Sequence, residues 1–232
     1  MEHIITGLQW YVVFLFSTVL HEAAHAYTAH RLGDDTAYNG GHVTINPLPH
    51  IKREPIGTVV VPILSFLLGG WMIGWASVPY NGSWAIRYPK KSAVMSAAGP
   101  AANLLLVLVA GLVIRIGTAA GVFYPPEAIT FSHLVATHET GWIAVTGSIV
   151  SLLFSLNLLL CLFNLFPVPP LDGSAIVPLF LKHETAQTYL DRMHHSPGGF
   201  FGLFLVWQVF DYVYDPVHIF VINLLYPGVH YR

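Results

Sequence analysis

The sequence predicts an all-α polytopic membrane protein with about four to six transmembrane helices, a re-entrant segment and short β-strands near the membrane surface. Three observations predict it. Hydrophobic residues make up 54% of the 232 and charged residues 9%, with a mean hydropathy of +0.60, far from the average of soluble chains. Several apolar runs reach the roughly 20 residues that a helix needs to cross the hydrocarbon core. Lys and Arg crowd some loops and are missing from others, the asymmetry by which membrane proteins orient.

The first run, Gly7 to His30, ends at the turn signal Gly33-Asp34-Asp35. Its N-terminal stretch opens without the Lys or Arg of a secretory signal and is read as a retained first membrane helix. Ile56 to Trp75 is the second run, interrupted by Pro62 and Gly69-Gly70. Ser92 to Ile116 and Trp142 to Phe166 are the cleanest, each long, apolar and bounded by Gly or Pro. Gly198 to Val213 is broken by Asp211 and Asp215-Pro216 before Val217 to Leu225, as either one kinked span or a span plus an interfacial helix. Between the first two runs, GGHVTINPLPHI alternates around Val43 and Ile45 and fits a short strand or hairpin, with Ala76 to Asn81 as a partner strand. No internal repeat, low-complexity tract or long polar linker interrupts the chain. A single membrane-embedded domain over 1–232 is expected, with its core at 8–180 and a C-terminal membrane segment at 198–225.

Charge placement predicts the topology. The loop after the first run carries Arg31, Lys52 and Arg53, the next carries Arg87, Lys90 and Lys91, a later segment carries Lys182 and Arg192, and 117–141 carries none. A full crossing by Ile56 to Trp75 would put two neighbouring basic loops on opposite faces, whereas a hairpin turning at Gly69-Gly70 leaves all three on the cytoplasmic side. A net charge of −2 offers no basic surface for phosphate backbones, so nucleic acid is not an expected partner. The lone Cys161 lies in an apolar run and reads as a packing residue without a disulfide mate.

HEAAH at His21 to His25 matches H-E-x-x-H, in which two histidines one helical turn apart can grip a zinc ion. The intervening Glu22 is rotated about 100° from His21, free to take a proton from a water that the metal acidifies and return it to a leaving amine. Taken alone the pentapeptide could be ordinary helix sequence. Its setting argues otherwise, because His, Glu and His in an apolar helix are costly to bury unless they pair, bind metal or line a wet cavity. Catalytic zinc usually takes three protein ligands and keeps a fourth position open. The best third candidate is Asp172 in NLFPVPPLDG, where three prolines end a membrane helix and irregular backbone can aim a carboxylate inward. Without HEAAH, an Asp-Gly after prolines would read as a surface turn.

These two motifs resemble those of the site-2 proteases, intramembrane zinc proteases that carry H-E-x-x-H on one membrane helix and N-x-x-P-x-P-x-L-D-G at the end of another. Here the second motif stands as Asn164, Pro167, Pro169, Leu171, Asp172 and Gly173. AAGPAAN at Ala97 to Asn103, His25-Ala26-Tyr27 and Leu32-Gly33-Asp34 extend the resemblance towards the compact bacterial and archaeal branch. It covers roughly residues 8 to 180. The resemblance implies one Zn²⁺ per chain on His21, His25 and Asp172, Glu22 as catalytic glutamate, and Asn164 as polariser of the scissile carbonyl or stabiliser of its oxyanion.

The small-residue stretch Ala97 to Ala102 would let two helix backbones approach closely, and Gly99, Pro100 and Asn103 read as structural. His30, His42, His50, His183, His194 and His195 read as surface or interfacial residues, and the scattered Trp and Tyr as interfacial anchors. The expected partners are transmembrane protein substrates and the lipid bilayer, in a multi-pass cell-membrane protein whose metal lies roughly 10 Å below the cytoplasmic surface. No PDZ-like or CBS-like domain fits in 232 residues. A substrate helix must unwind before its carbonyl can reach the metal, and strand-like pieces after the first helix could pair with it. Two other readings use the same residues: a membrane metal transporter, and a catalytically silent relative that binds membrane proteins.

Overall fold

A computed structural model of the chain describes residues 2–194 and 199–232. Three of its helices are long and apolar enough to cross a membrane: His3–Leu32 within α1 (Glu2–Leu32), α6 (Pro89–Ala119) and α7 (Trp142–Asn164). At 1.5 Å per residue even the shortest exceeds the roughly 30 Å hydrocarbon core. The connecting elements are α2 (Thr36–Asn39), α3 (Pro47–Arg53), α4 (Val61–Gly69) and α5 (Gly82–Arg87) before α6. After α7 come α8 (Asp172–Ile176), α9 (His183–His194), α10 (Gly199–Val209) and α11 (Asp211–Leu225).

Polar contacts fix the order of the three long helices. His21 meets Asn103 and His25 meets the Met95 carbonyl, so α1 and α6 run antiparallel. Asn157 on α7 meets both Asn103 and Ser17, while Phe154 stands beside Gly111 and Leu152 packs with Trp10, Val13 and Phe14, which together place α7 antiparallel to α6 and parallel to α1. The C-terminal end of α1, the N-terminal end of α6 and the C-terminal end of α7 therefore share one end of the bundle. Trp10, Val13 and Phe14 of α1 pack on Met72, Leu152 and Leu156. A second apolar cluster joins Ile114 of α6 and Phe154 of α7 to Tyr214 and Ile222 of α11.

Helix α1 stops at Gly33, whose φ of +103° lets the chain turn left-handed. The Asp34 N–H then donates to the Ala29 carbonyl and the Gly33 N–H to that of His30, the paired bonds of a Schellman cap. Asp34 next accepts from the N–H groups of Thr36 and Asn81, tying the far end of the second apolar run to the end of α1.

That run folds back on itself as a hairpin. A π-helical turn over Ile56–Val60 leads into α4, which ends at Gly70 with φ +75°. The chain then returns without regular secondary structure. The Trp75 N–H donates to the Gly57 carbonyl, the Arg53 guanidinium donates to Ser77, and Ser77 donates to Glu54. Both arms thus begin and end together, at the metal-motif end of α1.

The strand expected over GGHVTINPLPHI is not formed: 40–46 is turn and bend and Pro47–Arg53 is helical. Pro47 and Pro49 lack the N–H a ladder needs, while Asn46 caps α3 by accepting from Leu48 N–H. Residues 76–81 carry no regular secondary structure and lack a paired strand among the described residues. The only β pairing among the described residues is two isolated bridges in the loop between α6 and α7. The last apolar run forms α10 and α11, broken at Phe210, and Gly198 lies outside the described residues.

Candidate metal centre

His21, Glu22 and His25 sit in the last third of α1, each 6–7% exposed. The i, i+4 spacing stacks both imidazoles on the face turned towards α6, where Gly99 leaves room for them. A Cβ at Gly99 would collide with Nε2 of both histidines. The motif AAGPAAN therefore does more than bring two backbones together.

Asp172 arrives from the opposite side. Pro167, Pro169 and Pro170 end α7, with the Pro169-Pro170 peptide bond cis. The chain then turns through bonds from Val168 N–H to the Phe166 carbonyl and from Leu171 N–H to that of Val168. Gly173 is held where a Cβ would strike the carbonyls of Leu165 and Phe166. Asp172 opens α8 and its Oδ2 lies 3.1 Å from His21 Nε2 and 3.3 Å from His25 Nε2, which are 3.0 Å apart.

The protonation of this triangle follows from its neighbours. His25 Nδ1 lies 2.8 Å from the Met95 carbonyl, which can only accept, so Nδ1 carries the proton. His21 Nδ1 donates in the same way to Asn103 Oδ1 at 2.5 Å. Both Nε2 atoms therefore present lone pairs, to each other and to Asp172 Oδ2, a buried oxygen with no hydrogen-bond partner.

Three converging acceptors with no hydrogen among them repel unless a cation lies between. Ligand atoms about 2.0–2.1 Å from a tetrahedral zinc ion sit about 3.3 Å apart, close to the observed edges. The donor set therefore fits zinc, with two borderline nitrogens and one carboxylate oxygen. Glu22 also offers an oxygen within 4.8 Å of both histidines. Asp172 Oδ2 closes the triangle with the two Nε2 atoms, and Glu22 stands beside it.

A cavity of about 420 Å³ opens on Glu22, His25 and Asp172. The return arm 76–80 bounds it on one side, and Ser92 and Ser96 of α6 and Pro169-Pro170 on others.

Asn164 is not brought into this group. Its amide donates to the Leu160 carbonyl of its own helix at 3.0 Å, and it does not line the cavity. His30 pairs with Asp35 at 2.6 Å, while His42 and His50 stack edge to face in the 40–50 loop. Sequence reasoning read Asn103 only as structural and passed over Asn157 and Ser17, all three fully buried. The signal was present: two asparagines inside apolar helices that must each find partners.

Comparison with known proteins follows this geometry. Residues 9–206 match peptidase family M50, beyond the 180 at which the sequence resemblance was read to end. YwhC of Bacillus subtilis (strain 168), provisionally named a zinc metalloprotease, is 33% identical over 72% of this chain and 66% of its own. Rip2 of Mycolicibacterium smegmatis, named in the same way, is 30% identical over 74% of this chain and 57% of its own. Rip2 of Mycobacterium tuberculosis (strain H37Rv) is 30% identical over 85% and 71%. The chain thus spans just under two thirds of the first of these relatives and less of the second. No solved structure matches it significantly. With the match covering most of the chain and both motifs, this protein belongs to peptidase family M50, the site-2 protease family.

Proposed function

We propose that this protein is an intramembrane zinc endopeptidase that cleaves peptide bonds in or near the transmembrane segments of membrane proteins. The observation that carries the reading is the triangle of His21, His25 and Asp172 with Glu22 beside it, set at the end of three helices of membrane length. His21, His25 and Asp172 would hold one zinc ion, which would supply a Lewis acid for the scissile carbonyl and bring the pKa of a water towards neutrality.

The chain's own residues account for the rest. Glu22, buried and one residue from a ligand, takes the proton from the attacking water and delivers it to the departing amine. The cavity admits an unwound segment rather than a helix, since about 420 Å³ is a volume typical of small-ligand pockets, and a helix with side chains is about 10–12 Å across. Residues 76–80, which line the cavity, rather than residues 43–45, would lie alongside that segment. Asn164 lies one turn before the proline loop. To serve as oxyanion donor its amide would have to leave the Leu160 carbonyl and swing into the cavity when substrate binds.

Eight of the ten Lys and Arg residues lie in segments at the metal end of the bundle or leading from it, the exceptions being Arg115 and Arg232. The metal end therefore faces the cytoplasm, in a multi-pass protein of the cell membrane.

Purified protein in detergent, given a single-pass membrane substrate, tests the reading. Wild type should cleave it, Glu22→Gln should retain one zinc ion per chain and lose about 10²–10⁴-fold in rate, and a chelator should abolish cleavage until zinc is returned. Stoichiometric zinc without Glu22-dependent cleavage across several substrates would reject the protease reading in favour of a binding or transport role.

A further inference from the structure

Behind His21 runs a one-way chain of hydrogen bonds through all three long helices. His21 Nδ1 donates to Asn103 Oδ1 at 2.5 Å, Asn103 Nδ2 donates to Asn157 Oδ1 at 2.8 Å, and Asn157 Nδ2 donates to Ser17 Oγ at 2.8 Å. Asn103, Asn157 and Ser17 are all 0% exposed, so water cannot substitute for a missing partner. A buried amide left unpaired costs several times what a made hydrogen bond contributes.

The polarity of this chain is set at its far end. Asn157 Nδ2 also donates to the Leu153 carbonyl at 2.8 Å. A carbonyl only accepts. Flipping the Asn157 amide would press its oxygen against the Leu153 oxygen, so Nδ2 stays there and Oδ1 faces Asn103. Asn103 must then present Nδ2 to Asn157 and Oδ1 to His21, and His21 must carry its proton on Nδ1. The lone pair is left on Nε2, the atom that faces His25 and Asp172. His25 reaches the same state by a different device, a backbone carbonyl, because Met95 lies on α6 beside it. One ligand is thus oriented by main chain and the other by a side-chain relay that is only complete when α1, α6 and α7 are in register.

We infer that Asn103 is a positioning residue for the metal ligand His21 and that Asn157, anchored on Ser17 and the Leu153 carbonyl, fixes the orientation in which Asn103 does so. The inference rests on the metal-site reading above but not on proteolysis. It makes metal affinity depend on the packing of α7 against α1 and α6, although no atom of Asn157 reaches the metal site.

The test is zinc affinity, measured by competition with a chromophoric chelator on the full-length protein in detergent. Asn103→Leu removes the acceptor and should weaken zinc binding by about 10–100-fold, the usual effect of losing a ligand's hydrogen-bond partner. Asn103→Asp keeps an acceptor for Nδ1–H and should bind within a few-fold of wild type. Asn157→Leu frees the Asn103 amide to flip and should cost on the order of tenfold. It also serves if Asn103→Leu does not fold. A purely structural role would lower the melting temperature of the metal-free protein while leaving zinc affinity unchanged, and that result in a folded Asn103→Leu or Asn157→Leu variant overturns the inference. Failure of wild type itself to bind zinc would instead reject the metal site, so the two failures are distinguishable.

Discussion

At the scale of single residues, the centre depends as much on what is missing as on what is present. Gly99 occupies an α-helical position where alanine would ordinarily stabilise by about 1 kcal/mol. Here a methyl group would meet the Nε2 atoms of His21 and His25. Gly99→Ala is therefore expected to reverse the usual sign, destabilising the protein by about 1–3 kcal/mol and weakening zinc binding at least about tenfold. Melting curves with and without zinc check both, and a more stable variant with unchanged zinc affinity would show that the histidines do not stand against α6. His21, Glu22 and His25 are legible in the sequence because their chemistry is written in a fixed helical spacing. Gly99 and Asn103 are not, since a glycine and an asparagine in an apolar helix acquire their roles only from what the next helix brings opposite them.

At the scale of elements, the hairpin of the second apolar run is held by backbone proximity at two glycines. A Cβ on Gly57 would strike the Trp75 carbonyl and indole, and one on Gly74 would strike the Gly57 carbonyl. Gly57→Val should force the arms apart at a cost of about 1–3 kcal/mol and displace the arm 76–80 that walls the cavity. Cysteines placed at Glu54 and Ser77, joined by a hydrogen bond in the wild type, should be bridged by a short bismaleimide, and Gly57→Val should abolish that bridging. Equal bridging in both would mean that the glycine contact does not set the hairpin. The hairpin itself was readable from Gly69-Gly70 and the placement of Arg53 and Arg87, because membrane insertion constrains loop charge globally. The expected strand at Val43 and Ile45 failed because alternation says nothing about whether a neighbour will pair, and two prolines with an asparagine cap favoured a helix instead.

At the scale of the whole molecule, the antiparallel order of α1, α6 and α7 gives a topology. Residues 52, 81 and 182 belong to the metal end, whereas Glu127 lies in the loop between α6 and α7 at the other end. The C-terminus joins that loop, since Tyr231 donates to the Pro126 carbonyl. Single cysteines at Lys52, Asn81 and Lys182 should label with a membrane-impermeant maleimide from the cytoplasmic face, and one at Glu127 from the opposite face. Labelling of Asn81 and Lys52 from different faces would refute the hairpin and with it the cytoplasmic placement of the centre. The sequence by itself determined the membrane class and the candidate metal residues His21, Glu22, His25 and Asp172, because composition, helical periodicity and proline breaks act within a few residues of chain. Only the tertiary structure decided that Asp172 closes on both histidines, that Asn164 turns to its own helix, and that Asn103 and Asn157 carry the orientation of His21 across three helices. Apart from Asn164, whose partner Leu160 lies four positions away, those outcomes depend on contacts between residues 54 to 151 positions apart, and a hydrogen bond's partner at that separation is chosen by packing.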